Sequence, residues 1–435
     1  MRFVSTTIMK KNNKIALALI LLYAGTAKAQ ENSPYSRYGI GNLTPSQNVV
    51  NRSMGGVSAA YLDPYLSTVN FNNPATYSRL ERTIFDVGID IESKVLRTPN
   101  ATDKFRSTNM VVNYLNVAFP LKKNVWGVNI GLRPISNVSY KIESRERVPG
   151  VDSIQSLYEG EGGAYQVFAG TGARWKNLSV GINGGYFFGR KETDTRIIPV
   201  NDSVLYYKSR TAHISNFGSA FLNAGVQYGI KLSSKSLLRI GASGNLETKL
   251  RGENKITNET FNYSGDGGDV IIDSIYTKSG MKGDVIYPAS YSVGIMFEKA
   301  RQLQIGVDYE SAKWSNYRFF GQTDKVQDDW TLRVGAQFLP SGQAKNYWGL
   351  LTYRAGFYVG SDYIKPEVND VKKYAVTFGA GFPLRSYRSY QTTVINTNLE
   401  FGRRGNDKNS VKESFFRLSV GLALADFWFI KKKYD

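Results

Sequence analysis

The chain has 435 residues, 42% hydrophobic and 13% aromatic, with 42 Gly, 28 Tyr and a mean hydropathy of −0.32. That average is too polar for helical membrane spans but suits strands that are apolar on one face only. No Cys and a single His, His213, exclude disulfide scaffolds, thiolate metal sites and His-rich metal centres. The formal net charge of +19 would suit nucleic acid, yet Lys and Arg are spread along the chain without a binding motif, so no nucleic-acid partner is expected.

Residues 1–29 have the pattern of a secretory signal. Lys10, Lys11 and Lys14 form a basic end, Ile15 to Tyr23 an apolar run too short to span a membrane, and Ala27-Lys28-Ala29 a small-x-small cleavage site. Cleavage there removes five basic residues and no acidic one, and implies an exported protein of a bacterial envelope.

Residues 30–81 precede the strands, and within them Asn51 to Leu80 is dense in Gly, Ser, Asn and Pro and shows no helical or strand period. Gly55-Gly56 permits positive φ and close chain approach. Asn73-Pro74, followed by Ala75, ends any helix and starts a turn. A surface linker has the same composition; the strands that follow favour a compact hatch for them to close around.

Residues 82–435 are dominated by period-two alternation. Phe85, Val87, Ile89 and Ile91 oppose Asp86, Gly88, Asp90 and Glu92. Trp126, Val128, Ile130 and Leu132 oppose Gly127, Asn129, Gly131 and Arg133. Leu238, Ile240, Ala242, Leu246 and Leu250 oppose Arg239, Ser243, Asn245, Glu247, Lys249 and Arg251. Candidate strands cover 82–95, 107–120, 124–146, 161–174, 177–195, 210–231, 235–252, 285–299, 301–322, 328–341, 346–361, 372–384, 392–404 and 412–425. Short connections alternate with longer polar stretches around 96–106, 147–160, 196–209, 253–284 and 362–371. Tight turns at one rim and long loops at the other predict an all-β, antiparallel transmembrane barrel of about 14 strands with the hatch inside its lumen, in a Gram-negative outer membrane.

Aromatics near strand ends (Trp126, Tyr140, Trp175, Tyr287, Trp314, Trp330, Trp348, Trp428) are expected at the membrane interfaces. The last strand finishes Phe427-Trp428-Phe429, which resembles the signal read by the barrel assembly machinery, although Ile430 and the basic tail Lys431 to Asp435 follow it.

Two separated motifs carry a family resemblance. The first is Ser53-Met54-Gly55-Gly56, Asp63 and Asn72-Asn73-Pro74-Ala75. The second is Tyr287-Pro288, Tyr291 to Ile295, Gln304 to Tyr309 and Trp314-Ser315. Together they resemble the FadL/OMPP1/TodX family of outer-membrane transporters of hydrophobic compounds, as a Bacteroidota-type member. The resemblance implies passive passage of a hydrophobic small molecule or lipid, such as a long-chain fatty acid, past a hatch formed around Gly55, Gly56, Asn73, Pro74 and Ala75. It also implies a kinked third strand that opens the wall sideways to outer-membrane lipid, for which Pro134 is the candidate; Pro134 could equally end a strand and begin a loop. A relative in the same fold is the shuttle component of type IX secretion, so a docking or shuttle barrel that carries no solute is the alternative.

The polar faces place Asp86, Asp90, Glu92, Arg133, Arg239, Glu247, Lys249, Arg251 and Glu400 in the lumen. They read as a mixed-sign network that fixes the hatch, since no two carboxylates stand at a defined catalytic separation. An enzyme is not expected, nor a cofactor. Gly265-Asp266-Gly267-Gly268-Asp269 with Asp273 offers oxygen ligands for Ca²⁺, but its spacing does not match an EF-hand.

Overall fold

A computed structural model describes residues 33–65, 67–98, 104–149, 152–200, 206–264, 268–300, 302–340, 346–385 and 392–428. The secretory pattern at 1–29, Phe429 with the basic tail, and residues 265–267 of the loop considered for calcium lie outside them. The described residues form a closed antiparallel barrel of fourteen strands, eleven unbroken and three interrupted. These are β1 (Thr83–Arg97), β2 (Lys104–Lys122), β3 (Trp126–Val148), β4 (Asp152–Trp175), β5 (Leu178–Val200), β6 (Lys208–Lys231), and β7 (Ser236–Asn245 with Thr248–Tyr263). There follow β8 (Asp269–Tyr287 with Ser290–Lys299), β9 (Leu303–Ala312 with Arg318–Phe319), β10 (Asp329–Phe338), β11 (Thr352–Ser361), β12 (Lys372–Arg385), β13 (Thr392–Arg404) and β14 (Lys412–Asp426). β14 pairs with β1 from Lys412↔Arg97 to Asp426↔Thr83 and closes the cylinder.

Period two puts one apolar residue per strand at the same height outside. Ile240, Ile295, Val307, Val334, Phe357, Val376, Phe401 and Phe416 are cross-strand partners in succession, and all are exposed. No described helix is long and apolar enough to cross a membrane; this girdle of strands is the lipid-facing surface of an outer-membrane-type barrel.

The three interruptions lie at one level. Asn245, Ser290, Ala312 and Asp329 are successive partners, and the chain breaks beside each of the first three, at 246–247, 288–289 and 313–317. Below that level β7, the lower part of β8, β9 and β10 are ten residues each, the length that crosses a bilayer. Above it the wall continues. The stretches expected as loops at 147–160 and 253–284 are strand over most of their length, and 196–209 is strand at 196–200 and 208–209, with Thr248–Tyr263 and Asp269–Tyr287 giving roughly 50–60 Å of strand beyond the membrane. Their polarity on both faces suggested loops, but a sheet wetted on both faces needs no apolar side. Besides the three breaks and the turn at 320–321, residues 346–351, expected as strand, are not; they hold a 3₁₀ turn at Tyr347–Leu350.

The break in β7 also inverts the expected facing. Leu238, Ile240 and Ala242 point outward, but after the two intervening residues Leu250 is fully buried inside while Lys249 and Arg251 are exposed outside, with Leu246 and Glu247 exposed at the break itself. Trp314 and Tyr140, assigned to the interface, are buried. Trp314 packs at the outer mouth against Tyr287, Tyr317 and Tyr363. Trp126, Trp175, Trp330, Trp348 and Trp428 do face outward.

Replacing Ile240 by Arg puts a charge at mid-bilayer on the lipid face and should cost about 2–4 kcal/mol of barrel stability. Ser243→Arg, whose side chain borders the internal cavity, should be tolerated. The yield of heat-modifiable barrel on gels distinguishes them, and equal loss from both variants would contradict this facing.

Candidate functional site: hatch, chamber and parted wall

Residues 33–65 and 67–80 lie inside the barrel, and irregular backbone at membrane depth must be satisfied by protein. Inward glycines let the wall come close. Gly127, Gly172, Gly181 and Gly225 are successive cross-strand partners on β3 to β6, and Gly306, Gly335 and Gly356 on β9 to β11. A Cβ at Gly127 would strike the Tyr77 carbonyl, at Gly181 Pro74, at Gly225 the Asn73 side chain, at Gly335 the Met54 carbonyl and at Gly356 the Gly55 nitrogen. Between the glycines, side chains reach in. Asp308 accepts from the Ser58 and Ala59 amides at 2.6 and 2.7 Å, Thr377 from the Gly55 amide at 2.9 Å, and Asp86 from the Val69 amide at 3.2 Å. Gln227 donates to the Ala59 carbonyl at 3.0 Å and Asn183 to that of Phe71 at 3.1 Å.

The residues singled out from sequence sit at this contact. Gly55 and Gly56 have φ of 69° and 89°, in the left-handed region, after the short helix Val49–Arg52. Asn73 caps the 3₁₀ turn Pro74–Arg79, accepting from the Ala75 amide at 3.1 Å while donating to the Ala59 carbonyl at 2.6 Å. Asn73-Pro74 therefore starts a helical turn, with Pro74 at its first position.

Above the hatch is a cavity of about 450 Å³. Its charges pair with one another. Arg52 of the hatch contacts Asp90 at 2.5 Å and Glu400 at 3.3 Å; Arg417 joins Glu400 (2.9 Å) to Glu92 (2.5 Å), and Lys94 contacts Glu92 at 3.0 Å. Arg333 contacts Glu310 at 2.8 Å and donates to the Gly55 carbonyl at 3.3 Å. Arg133 has no acid partner among these and holds Gln166, the Ser46 carbonyl and Asn72. Arg239, near the inner end, pairs with Glu298 at 3.6 Å. With the acids engaged in this way the chamber offers no free acid–base pair, and among the described residues no group of three His, Cys, Asp or Glu could hold a metal.

Residues Ser33 to Thr44 cross the outer mouth as a strap. On one side Asn42 and Leu43 pair with Asn137 and Ser136 of β3, and the Ser33 amide donates to Ser139. On the other, Ser33 Oγ donates to Glu413 at 2.6 Å, Tyr35 to the Val411 carbonyl at 2.5 Å, and Arg404 to Asn42 at 2.8 Å. Burial raises the carboxyl of Asp362 in the adjoining loop, but Arg404 at 2.7 Å outweighs it and holds that group below its ordinary range.

The strap fills a gap. β2 and β3 pair from Lys122↔Trp126 only as far as Leu115↔Leu132, although both strands run on outward. Pro134 lies just past the last pair, beside a register shift against β4, and lines the chamber. It does not end the strand, which continues to Val148. The glycine rows, the strap and the contact of Asp308 with the hatch escaped the sequence reading, although Asp308 stands in the second motif. The signal for the first was a Gly recurring on the polar phase of strand after strand.

Two outcomes follow for the hatch. Arg52→Ala leaves Asp90 and Glu400 buried against one fewer cation and should destabilise the barrel by about 3–5 kcal/mol in detergent unfolding. Deleting residues 51–75 should leave a folded barrel with raised single-channel conductance in planar bilayers; a deletion that conducts no more than the intact chain would mean the hatch does not seal.

Solved structures with this fold include the Pseudomonas putida toluene transporter TodX (TM-score 0.54, 16% identity, covering 89% of this chain and 99% of that one). A Pseudomonas aeruginosa FadL homologue (0.55, 14%, 89% and 99%) and the CymD monoaromatic hydrocarbon channel (0.53, 14%, 90% and 99%) are similar to the same extent. No curated protein sequence matches the chain. The family model BamG matches residues 9–435, nearly the whole sequence, and the chain belongs to the BamG family.

Proposed function

We propose that the chain works in the outer membrane as a docking barrel in barrel assembly and not as an open pore. The observation that supports this best is the double seal: hatch below and strap above bound a chamber whose charges, Arg133 apart, are largely taken up by one another. BamG membership links the chain to barrel assembly. The exposed apolar side chains stand outside instead, with Val270, Ile271, Ile272, Ile275 and Tyr276 on the part of β8 beyond the membrane, where a protein partner and not lipid would cover them. The assembly machinery is then a working partner, beyond its part in inserting this barrel. This keeps the docking alternative drawn from the sequence but moves its setting from secretion to assembly.

A second reading is favoured by the parted wall. The chamber reaches Met110, Val111 and Ile135 at the gap between β2 and β3, and the fold is shared with proteins described as hydrocarbon channels. A hydrophobic compound, a long-chain fatty acid among the candidates, would leave sideways there, driven by apolar burial at about 25 cal/mol per Å².

Affinity purification of the full chain in mild detergent, with uptake assays in depleted cells, separates the two. The docking reading expects co-purification with the assembly machinery, an about tenfold drop with Ile272→Asp/Ile275→Asp in a still heat-modifiable barrel, and unfolded barrels accumulating on depletion. Normal barrel assembly together with lost uptake of toluene or fatty acid would overturn it in favour of transport.

A further inference from the structure

The described inner rim of the barrel carries bases that form no ion pairs. Both ends of the barrel, at Thr83 and Asp426, and the tight turns lie at this rim, which is the periplasmic one. The turn between β2 and β3 carries Lys122 and Lys123, that between β4 and β5 Arg174 and Lys176, that between β6 and β7 Lys231 and Lys235, and that between β8 and β9 Lys299. None of these seven forms an ion pair among the described residues. The acids at that level are engaged elsewhere: Glu81 accepts from Asn124 at 2.5 Å, Glu298 pairs with Arg239, and Asp426 accepts from the Phe427 amide at 2.7 Å. Several bases of the outer half do pair, as in Lys141–Glu159, Lys313–Asp328, Lys365–Asp370 and Lys412–Asp407, at 2.5–3.1 Å.

We propose that this collar binds the phosphates of anionic phospholipid in the inner leaflet of the outer membrane. Three observations favour lipid over a protein. The described bases recur at four successive inner turns, from that between β2 and β3 to that between β8 and β9. They sit at one depth, beside outward apolar residues (Trp175, Leu121, Leu232 and Trp428) that mark the bilayer interface. The Lys176 ammonium lies 5.3 Å from the Trp175 ring and that of Lys123 4.7 Å from the Phe427 ring, which pairs base with interfacial aromatic. Each cation near an anionic leaflet adds to its attraction. The proposal rests on the membrane placement of the barrel and not on its docking function.

The full chain in nanodiscs of equal phosphatidylglycerol and phosphatidylcholine, released for native mass spectrometry, provides the test. Phosphatidylglycerol should be retained preferentially, and less so as salt rises. Changing Lys122, Lys123, Lys176, Lys231, Lys235 and Lys299 to Gln should lower the preference about tenfold or more. The control Lys141→Gln/Lys313→Gln/Lys365→Gln/Lys412→Gln should keep it, both variants remaining heat-modifiable. If the rim variant does not insert, the salt dependence of the unaltered chain decides. Equal retention of the two lipids, a preference unmoved by salt, or one unchanged in the rim variant overturns the proposal. So does capture of an acidic periplasmic protein by the rim without any lipid preference, which would assign the collar to a protein.

Discussion

The structure depends on one steric constraint: a folded-back chain must lie against the inside of a β-wall with its backbone polar groups satisfied. A wall lined by side chains would hold that backbone away and leave amides and carbonyls without partners, which membrane depth does not tolerate. Paired glycines on neighbouring strands remove the obstruction locally, and the polar side chains beside them, Asp308, Thr377, Gln227 and Asn183, supply the hydrogen bonds. The hatch is thus seated by absence of bulk and presence of partners in alternating positions. That is why its contact residues come from so many strands instead of a single loop.

The same alternation decides what was legible in the sequence. Where one face meets lipid and the other the lumen, the period shows directly, and β1, β3 and the lower part of β7 read correctly to within a few residues. Where most positions on both faces are polar, as in Thr248–Tyr263, hydropathy carries no period and strand looks like loop. A two-residue interruption such as Leu246-Glu247 reverses the facing of everything after it, so Leu250 went to the wrong side. Gly55, Gly56, Asn73 and Pro74 were legible because their backbone chemistry is local. Their partners 150–300 residues away were not, since nothing in the order of the chain brings Gly225 to Asn73.

The chamber shows how strongly charge can be present without selecting a solute. Arg52, Arg417, Arg333 and Arg404 each face one or two carboxylates at ion-pair distance. Buried pairs of this kind recover their desolvation cost only while both partners are in place. Their network therefore resists displacement of the hatch, to which Arg52 belongs, more than it attracts a ligand. The strap adds a second constraint of a different nature, since its hydrogen bonds go to the edge of β3 left free where β2 turns away. The opening in the wall and the segment that fills it are consequences of the same early end to the β2–β3 ladder.

Part of the excess of positive charge, which composition alone could not interpret, acquires a location. Bases and acids in the lumen are largely paired off, whereas on the outer half some bases pair and others do not. The described bases at the inner turns have no such partners, and they sit where the chain reverses in two to four residues. A turn that short cannot fold back to cover its own charge, and the neighbouring turns bring more of the same sign. Like charges on neighbouring turns repel, and the acids at that depth, Glu81, Glu298 and Asp426, form no ion pair with them. On the lipid reading proposed above, the head groups of the surrounding leaflet supply the anions that the geometry of a barrel places there.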